Sequence, residues 1–346
     1  MAGITFQTSF DHYTTVTHRF NSLAGTSPLG TIVTAAGRNS TKALRFTNAV
    51  AQGRAVKTLP APITDIYFAF AYRTSVLPAA ALPRVIAEIR DAGVRQVGMI
   101  LQSDGTLIFR SGGSGSTDGV VLGTAIDFAA LANVFYHIEW YVRISTSVGL
   151  LQVRVNEVEK LNLTGLDTQQ TANNVVTEIC LVAVDGTNAT VNMDFDDVVV
   201  RDDDWNGDVE VLALLPTGIG ATNNWTATGA ATTREAVDEA APNSDTDYME
   251  TATVNDLSLF TYPTIPITSE IRAVVPIPFA KKTDAGTAKI KSTVRHSGVN
   301  YDGAEKAPSD ASYEYHPDIL MVNPGTATAF TPADWNAIEV GVKRTA

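Results

Sequence analysis

Along residues 135–144 apolar and polar positions alternate. Ile138, Trp140, Val142 and Ile144 share one parity, and His137, Glu139, Tyr141 and Arg143 share the other. That period of two predicts a strand with one buried face. Leu151, Val153 and Val155 repeat the pattern against Gln152, Arg154 and Asn156, and Ser145 to Gly149 supply the turn, so the two runs read as an antiparallel hairpin. Further strands are expected at 43–47, 65–73, 84–90, 96–101, 106–110, 178–184 and 191–201, separated by turns such as Ser103-Asp104-Gly105, Asp118-Gly119 and Asp185-Gly186. Many short strands with this punctuation predict a sandwich or jelly roll.

The charge run Asp202-Asp203-Asp204 and the pair Asn206-Gly207 interrupt two apolar segments, which sets the expected boundary: a first domain over 1–204 and a second over 205–346. Strands of the second are expected at 209–215, 257–262, 271–276, 288–295 and 338–343, with a polar loop from 217 to 247 long enough for further short ones. Thr331-Pro332-Ala333-Asp334 offers a capping hydroxyl, a first-turn proline and a carboxylate three residues after the cap, which predicts one helical turn. The fold class expected is all-β, two β-sandwich or jelly-roll domains.

Composition narrows function. The 346 residues carry a formal charge of −12, with 18% charged side chains. Such a balance disfavours a nucleic-acid backbone as partner, because affinity there comes from cations displacing counterions. Cys180 is the single cysteine, set in the apolar run 179–184, and reads as a core thiol that forms no intramolecular disulfide. The segment Met1 to Gln7 lacks the features of a secretory signal, and no stretch reaches the ~20 apolar residues that span a bilayer. Membrane insertion is therefore not expected.

With the strands placed, residues 1 to about 204 resemble the concanavalin A-like lectin/glucanase superfamily in its laminin-G-like form. The resemblance is carried by Phe10-Asp11-His12-Tyr13, Gly37 to Arg45, Tyr136-His137-Ile138-Glu139-Trp140, Val153-Arg154-Val155-Asn156 and Met193 to Val200. Their order and spacing resemble divergent copies of that jelly roll in virion proteins of tailed bacteriophages. Asp245 to Glu250, Phe279 to Gly286 and Phe330 to Lys343 resemble the C-terminal portion of such proteins. The resemblance implies a non-enzymatic virion component, assembled in the bacterial cytoplasm. A tail appendage or fibre is the first placement and a capsid decoration protein the second. The implied partners are other virion proteins and copies of the same chain. The rival reading is a carbohydrate-binding adhesin that recognises host-surface glycans through loops of the first domain.

Glucanases of that superfamily present Glu-x-Asp-x-Glu on one strand face. The nearest match, Asp194-Phe195-Asp196-Asp197-Val198, has no glutamate and lacks the third carboxylate, so hydrolysis is not expected. Asp194 and Asp196 are the two candidate Ca²⁺ ligands, through likeness to the Glu-Phe-Asp of legume lectins, but strand continues through Arg201, and solvated carboxylates are the favoured reading. His12, His18, His137, His296 and His316 show no metal-ligand spacing. Gly112 to Ser116 lacks the lysine and helix of a phosphate loop and reads as a flexible hairpin tip. Trp205 and Trp225 fall in or near polar loops, where stacking on a sugar, anchoring of a protein and burial against a neighbouring domain all remain open.

Overall fold

The computed structural model describes residues 3–11, 13–25, 30–47, 53–184, 191–268 and 270–346. His12 and the Asp185-Gly186 turn lie outside them. The chain is all-β, as the patterning predicts, and divides into two compact units, Met1–Leu212 and Ala213–Ala346.

The first unit is an antiparallel β-sandwich of two large sheets, of jelly-roll kind. Its strands are β1 Ile4–Thr8, β2 Ser22–Ala24, β3 Thr31–Val33, β4 Ala43–Thr47, β5 Gly53–Ile63, β6 Asp65–Thr74, β7 Arg84–Asp91, β8 Val94–Leu101, β9 Leu107–Ser111, β10 Val120–Ala125, β11 Tyr136–Arg143, β12 Gly149–Val155, β13 Val158–Leu166, β14 Val176–Val184 and β15 Asn192–Arg201. Sheet one runs β13-β12-β11-β6-β15-β4-β3, with β1 on β15, and sheet two runs β10-β9-β8-β7-β14-β5-β2.

The hairpin read from the sequence pairs Ile138 with Val155, Trp140 with Val153 and Val142 with Leu151. These six side chains are buried between the sheets with Phe68, Phe70, Phe109 and Phe195. Burying each large apolar side chain contributes roughly 1.5–3 kcal/mol, and this row of aromatics is the main adhesive of the unit. The Ser145 side chain accepts from the N–H groups of Ser147 and Val148 at 3.3 and 3.1 Å and shapes the turn.

Several strands escape the pattern. β5 and β13 carry Pro, Lys, Asn and Thr among their apolar positions, and β1, β2, β3 and β10 are short or lie at or near sheet edges, where alternation is weak. β13 joins β12 through Asn156 and Glu157, both at positive φ (47° and 66°), the two-residue turn whose twist matches a hairpin. Conversely, 209–215 forms no strand, and 271–276 contributes a single bridge, Val274 to Leu320.

The expectation that β11 buries only one face needs correction. His137 and Glu139, on the face opposite Trp140, are 2% and 1% exposed. They are covered by the chain that leaves β15, and for the same reason the compact first unit extends to Leu212, beyond the charge run at 202–204.

The second unit contains β16 Gly218–Asn223, β17 Thr226–Thr228, β18 Tyr248–Glu250, β19 Leu257–Thr261, β20 Phe279–Ala280, β21 Ile290–His296, β22 Val299–Asp302, β23 Glu314–Tyr315 and β24 Glu339–Arg344. Five of them form one sheet, β16-β19-β24-β21-β22, and two ribbons, β17-β18 and β20-β23, stand apart from it. Val274, Val294, Phe330, Ile338 and Val340 make its core. The helical turn α1, Pro332–Trp335, has the expected capping box: Thr331 Oγ1 accepts from the Asp334 N–H at 3.1 Å and Asp334 Oδ2 accepts from the Thr331 N–H at 2.9 Å.

Candidate functional site

The two candidate Ca²⁺ ligands sit on the outer face of sheet one, each already engaged by donors. The Asp194 carboxylate lies between two guanidinium groups, accepting from Arg45 at 2.6 and 2.9 Å and from Arg73 at 2.6 and 3.0 Å. Asp196 accepts from the main-chain N–H groups of Arg38 and Asp197 at 2.9 and 2.8 Å and from the Thr41 hydroxyl at 3.1 Å. Both are 1% exposed rather than solvated. Their oxygens serve as acceptors for arginine and main chain, and among the described residues no group of three or more His, Cys, Asp or Glu side chains is placed to hold a metal ion.

The neighbouring ionisable groups fasten a strap. Residues 205–211 cross the outer face of sheet one. Glu139 accepts from the Asn206 N–H, from Asn206 Nδ2 at 2.9 Å and from the Gly207 N–H at 3.3 Å. Asp197 accepts from Arg38 Nε at 2.9 Å and from the Val211 N–H at 2.8 Å, while Arg38 Nη2 donates to the Val209 carbonyl at 2.6 Å. Trp205 packs edge-on against Tyr67, and the Arg154 guanidinium lies 4.0 Å over its ring. Of the three fates open to Trp205, the structure selects contact with its own unit. Burial pushes Asp196 up to about 8 and Asp197 up to about 6, raises Glu139, and pulls His137 down to about 4. The hydrogen bonds of Glu139 and Asp197 hold the strap in place.

The outer face of sheet two has a different chemistry. Register places Val121 of β10, Arg110 of β9, Gly98 of β8, Glu88 of β7, Cys180 of β14 and Val56 of β5 in one row across the strands. Glu88 is fully buried. Three guanidinium groups approach its carboxylate: Arg54 at 3.1 Å, Arg90 at 3.6 Å and Arg95 at 3.7 Å. Asp118 adds a second carboxylate, 3.2 Å from Arg95. Arg54, Arg90, Arg95 and Arg110 face Glu88, Asp118 and Glu178, the last opposite Arg90 in the β7-β14 ladder, and Arg110 Nε has no hydrogen-bond acceptor among the described residues. Buried donors of this kind are costly to leave unmet. Beside the guanidiniums lies a small apolar cluster of Val56, Val85, Ile100, Cys180 and Val182. Cys180 is therefore buried as expected, but on the outer face of its sheet, where burial pushes the thiol up.

The loop over this face is pinned. Arg95 donates to the carbonyls of Gly112 and Gly115 at 2.6 and 2.8 Å, Arg54 donates to the Ser114 carbonyl at 3.0 Å, and the Asp118 carboxylate accepts from the N–H groups of Ser114 and Gly115, both at 2.7 Å. A flexible tip, expected from the glycines, gives way to a structured turn because a buried guanidinium satisfies its carbonyls. Gly98 makes this possible: a Cβ there would sit 2.8 Å from Arg95 Cδ, so the arginine lies across the strand where a side chain is missing.

The basic residues come from β5, β7, β8 and β9 and look scattered along the sequence. The legible signal was the outward parity of Glu88 and Arg90 in β7. What joins them to Arg54, Arg95 and Arg110 is strand order and register, which a single sequence does not give.

No protein-family model matches the chain, and no curated protein matches it. Among solved structures it is similar to an endo-β-1,4-glucuronan lyase from the fungus Trichoderma reesei, at 12% identity over 56% of this chain and 95% of that one, with a TM-score of 0.43. It is also similar to an alginate lyase, at 13% identity over 60% of this chain and 100% of that one, TM-score 0.41. A third is the catalytic domain of a glycoside hydrolase family 131 protein from Coprinopsis cinerea, at 10% identity over 60% of this chain and 100% of that one, TM-score 0.40. These are carbohydrate-active enzymes, not components of a virus particle. The expectations of a structural role in a phage tail or capsid, and of a chain without enzymatic activity, are corrected accordingly.

Proposed function

We propose that the first unit engages a carboxylate-bearing polysaccharide across the outer face of sheet two. One observation carries this reading: in a chain of net charge −12, three guanidinium groups converge on the single buried carboxylate of Glu88, with Arg110 in the same row. Guanidinium groups pair with planar carboxylates through two parallel hydrogen bonds, so a uronate residue supplies an acceptor for the partly exposed guanidinium groups of Arg54, Arg90 and Arg110.

The test is affinity electrophoresis and calorimetry with polyglucuronate and alginate against a neutral glucan. The acidic polymers should bind, with affinity falling as salt rises. Arg110→Ala should weaken binding by roughly ten- to a hundredfold, the range of a hydrogen bond to a charged group. Equal binding of the neutral glucan, or no binding of either acidic polymer, contradicts the proposal. Reducing-end and unsaturated-uronate assays on the same samples report whether the bound chain is also cut.

A further inference from the structure

An open groove of about 340 Å³ lies between the β9-β10 hairpin and the end of β13. Val120, Val121 and Leu166 give it an apolar wall, and Ser111, Asp167 and Gln170 bring polar groups to it. Val120 and Val121 are 67% and 47% exposed.

The groove is continuous with the arginine row. Val121 stands directly opposite Arg110 in the β9-β10 ladder, so the two share the outer face of sheet two, and Arg110 Nη1 donates to the Gly119 carbonyl at 3.1 Å, next to Val120. Three strand intervals, roughly 14 Å, separate Val121 from Glu88. A chain bound at Arg110 and running toward β10 passes over Val121. The volume is at the lower end of what small-molecule sites offer.

Resting on the reading of sheet two as a polyuronate surface, we propose that this groove is a further sugar subsite, which takes the ring beyond the one held by Arg110. The chemistry at its two ends differs. Arg110 receives a carboxylate. The groove presents an apolar wall to the C–H face of a ring, with Ser111, Asp167 and Gln170 as partners for hydroxyl groups, and the Asp167 carboxylate disfavours a second anion at that point. Recognition is therefore of a chain, with charge read at the arginines and ring shape read at the groove.

The experiment is calorimetry with oligoglucuronates of increasing length on the full chain, the Val121→Ser and Gln170→Ala variants, and Arg110→Ala. Both groove residues are exposed, so thermal midpoints should match the parent. The expected result is unchanged affinity of the groove variants for the shortest oligomer that binds, and about tenfold weaker affinity for longer ones, whereas Arg110→Ala weakens all lengths. If the groove variants follow the parent at every length while Arg110→Ala still weakens binding, the subsite is overturned and the surface reading stands. If the parent chain binds no oligomer of any length, the surface reading falls and the subsite falls with it.

Discussion

At the scale of single residues, the first unit buries charge on both outer faces, and the two faces do so differently. Glu88 is compensated by guanidinium groups. Replacing it by Gln leaves Arg54, Arg90 and Arg95 without their shared anion, and breaking a buried pair in this way costs about 3–5 kcal/mol. Glu88→Gln should therefore lower the thermal midpoint well beyond any exposed substitution, as calorimetry would record. On sheet one the carboxyls of Asp196, Asp197 and Glu139 are held above their usual range by burial. A group whose folded-state pKa is raised binds its proton more tightly when folded, so its contribution to stability falls as pH rises. Asp197, pushed up to about 6, loses its contribution between about pH 4 and 6, and Asp196, pushed up to about 8, loses its own between about pH 4 and 8. His137, pulled down to about 4, runs the other way between about pH 4 and 6.5 and offsets one carboxyl there. The net expectation is a thermal midpoint that declines from pH 6.5 to 8, with Glu239, pushed up to about 7 by burial, adding to the first part of the decline and Asp196→Asn removing the rest. A midpoint rising over that interval would contradict the assignment.

At the scale of elements, what was legible in the sequence follows from which forces are local. The β11-β12 hairpin, the central strands and the capped turn at Pro332 announce themselves, because alternation, turn residues and capping depend on neighbours in sequence. The strap at 205–211 was not legible. Its charged and small residues mark a boundary in composition, yet its N–H groups find acceptors on Glu139 and Asp197, strands away in the chain. His137 and Glu139 looked wet for the same reason. The tip from Gly112 to Ser116 was read as flexible because its anchor, Arg95, and the gap that admits it, Gly98, belong to another strand. Gly98→Val should displace Arg95, release the loop and cut polyuronate affinity. Proteolysis within 112–119, absent in the parent chain, is the readout.

At the scale of the whole molecule, the all-β class and the division into two units were legible, whereas function was not. Resemblance in a few strand motifs pointed to a virus particle, but the chemistry of the chain emerges only once register assembles Arg54, Glu88, Arg90, Arg95 and Arg110 on one face. The extent of the first unit gives its own test. A fragment of residues 1–212 should fold alone, whereas one ending at 204 loses the partners that the strap gives to Glu139 and Asp197. Loss of about 2 kcal/mol in hydrogen bonds lowers the midpoint by roughly 4–8 °C, and equal midpoints for the two fragments would remove the strap from the account. The most direct measurement of the central claim is a titration of ¹⁵N-arginine-labelled protein with oligoglucuronate, following the Nε signals by NMR. The account predicts that Arg90 and Arg110 shift on binding while Arg45 and Arg73, paired with Asp194 on sheet one, stay fixed; shifts confined to sheet one, or none at saturating ligand, would contradict it.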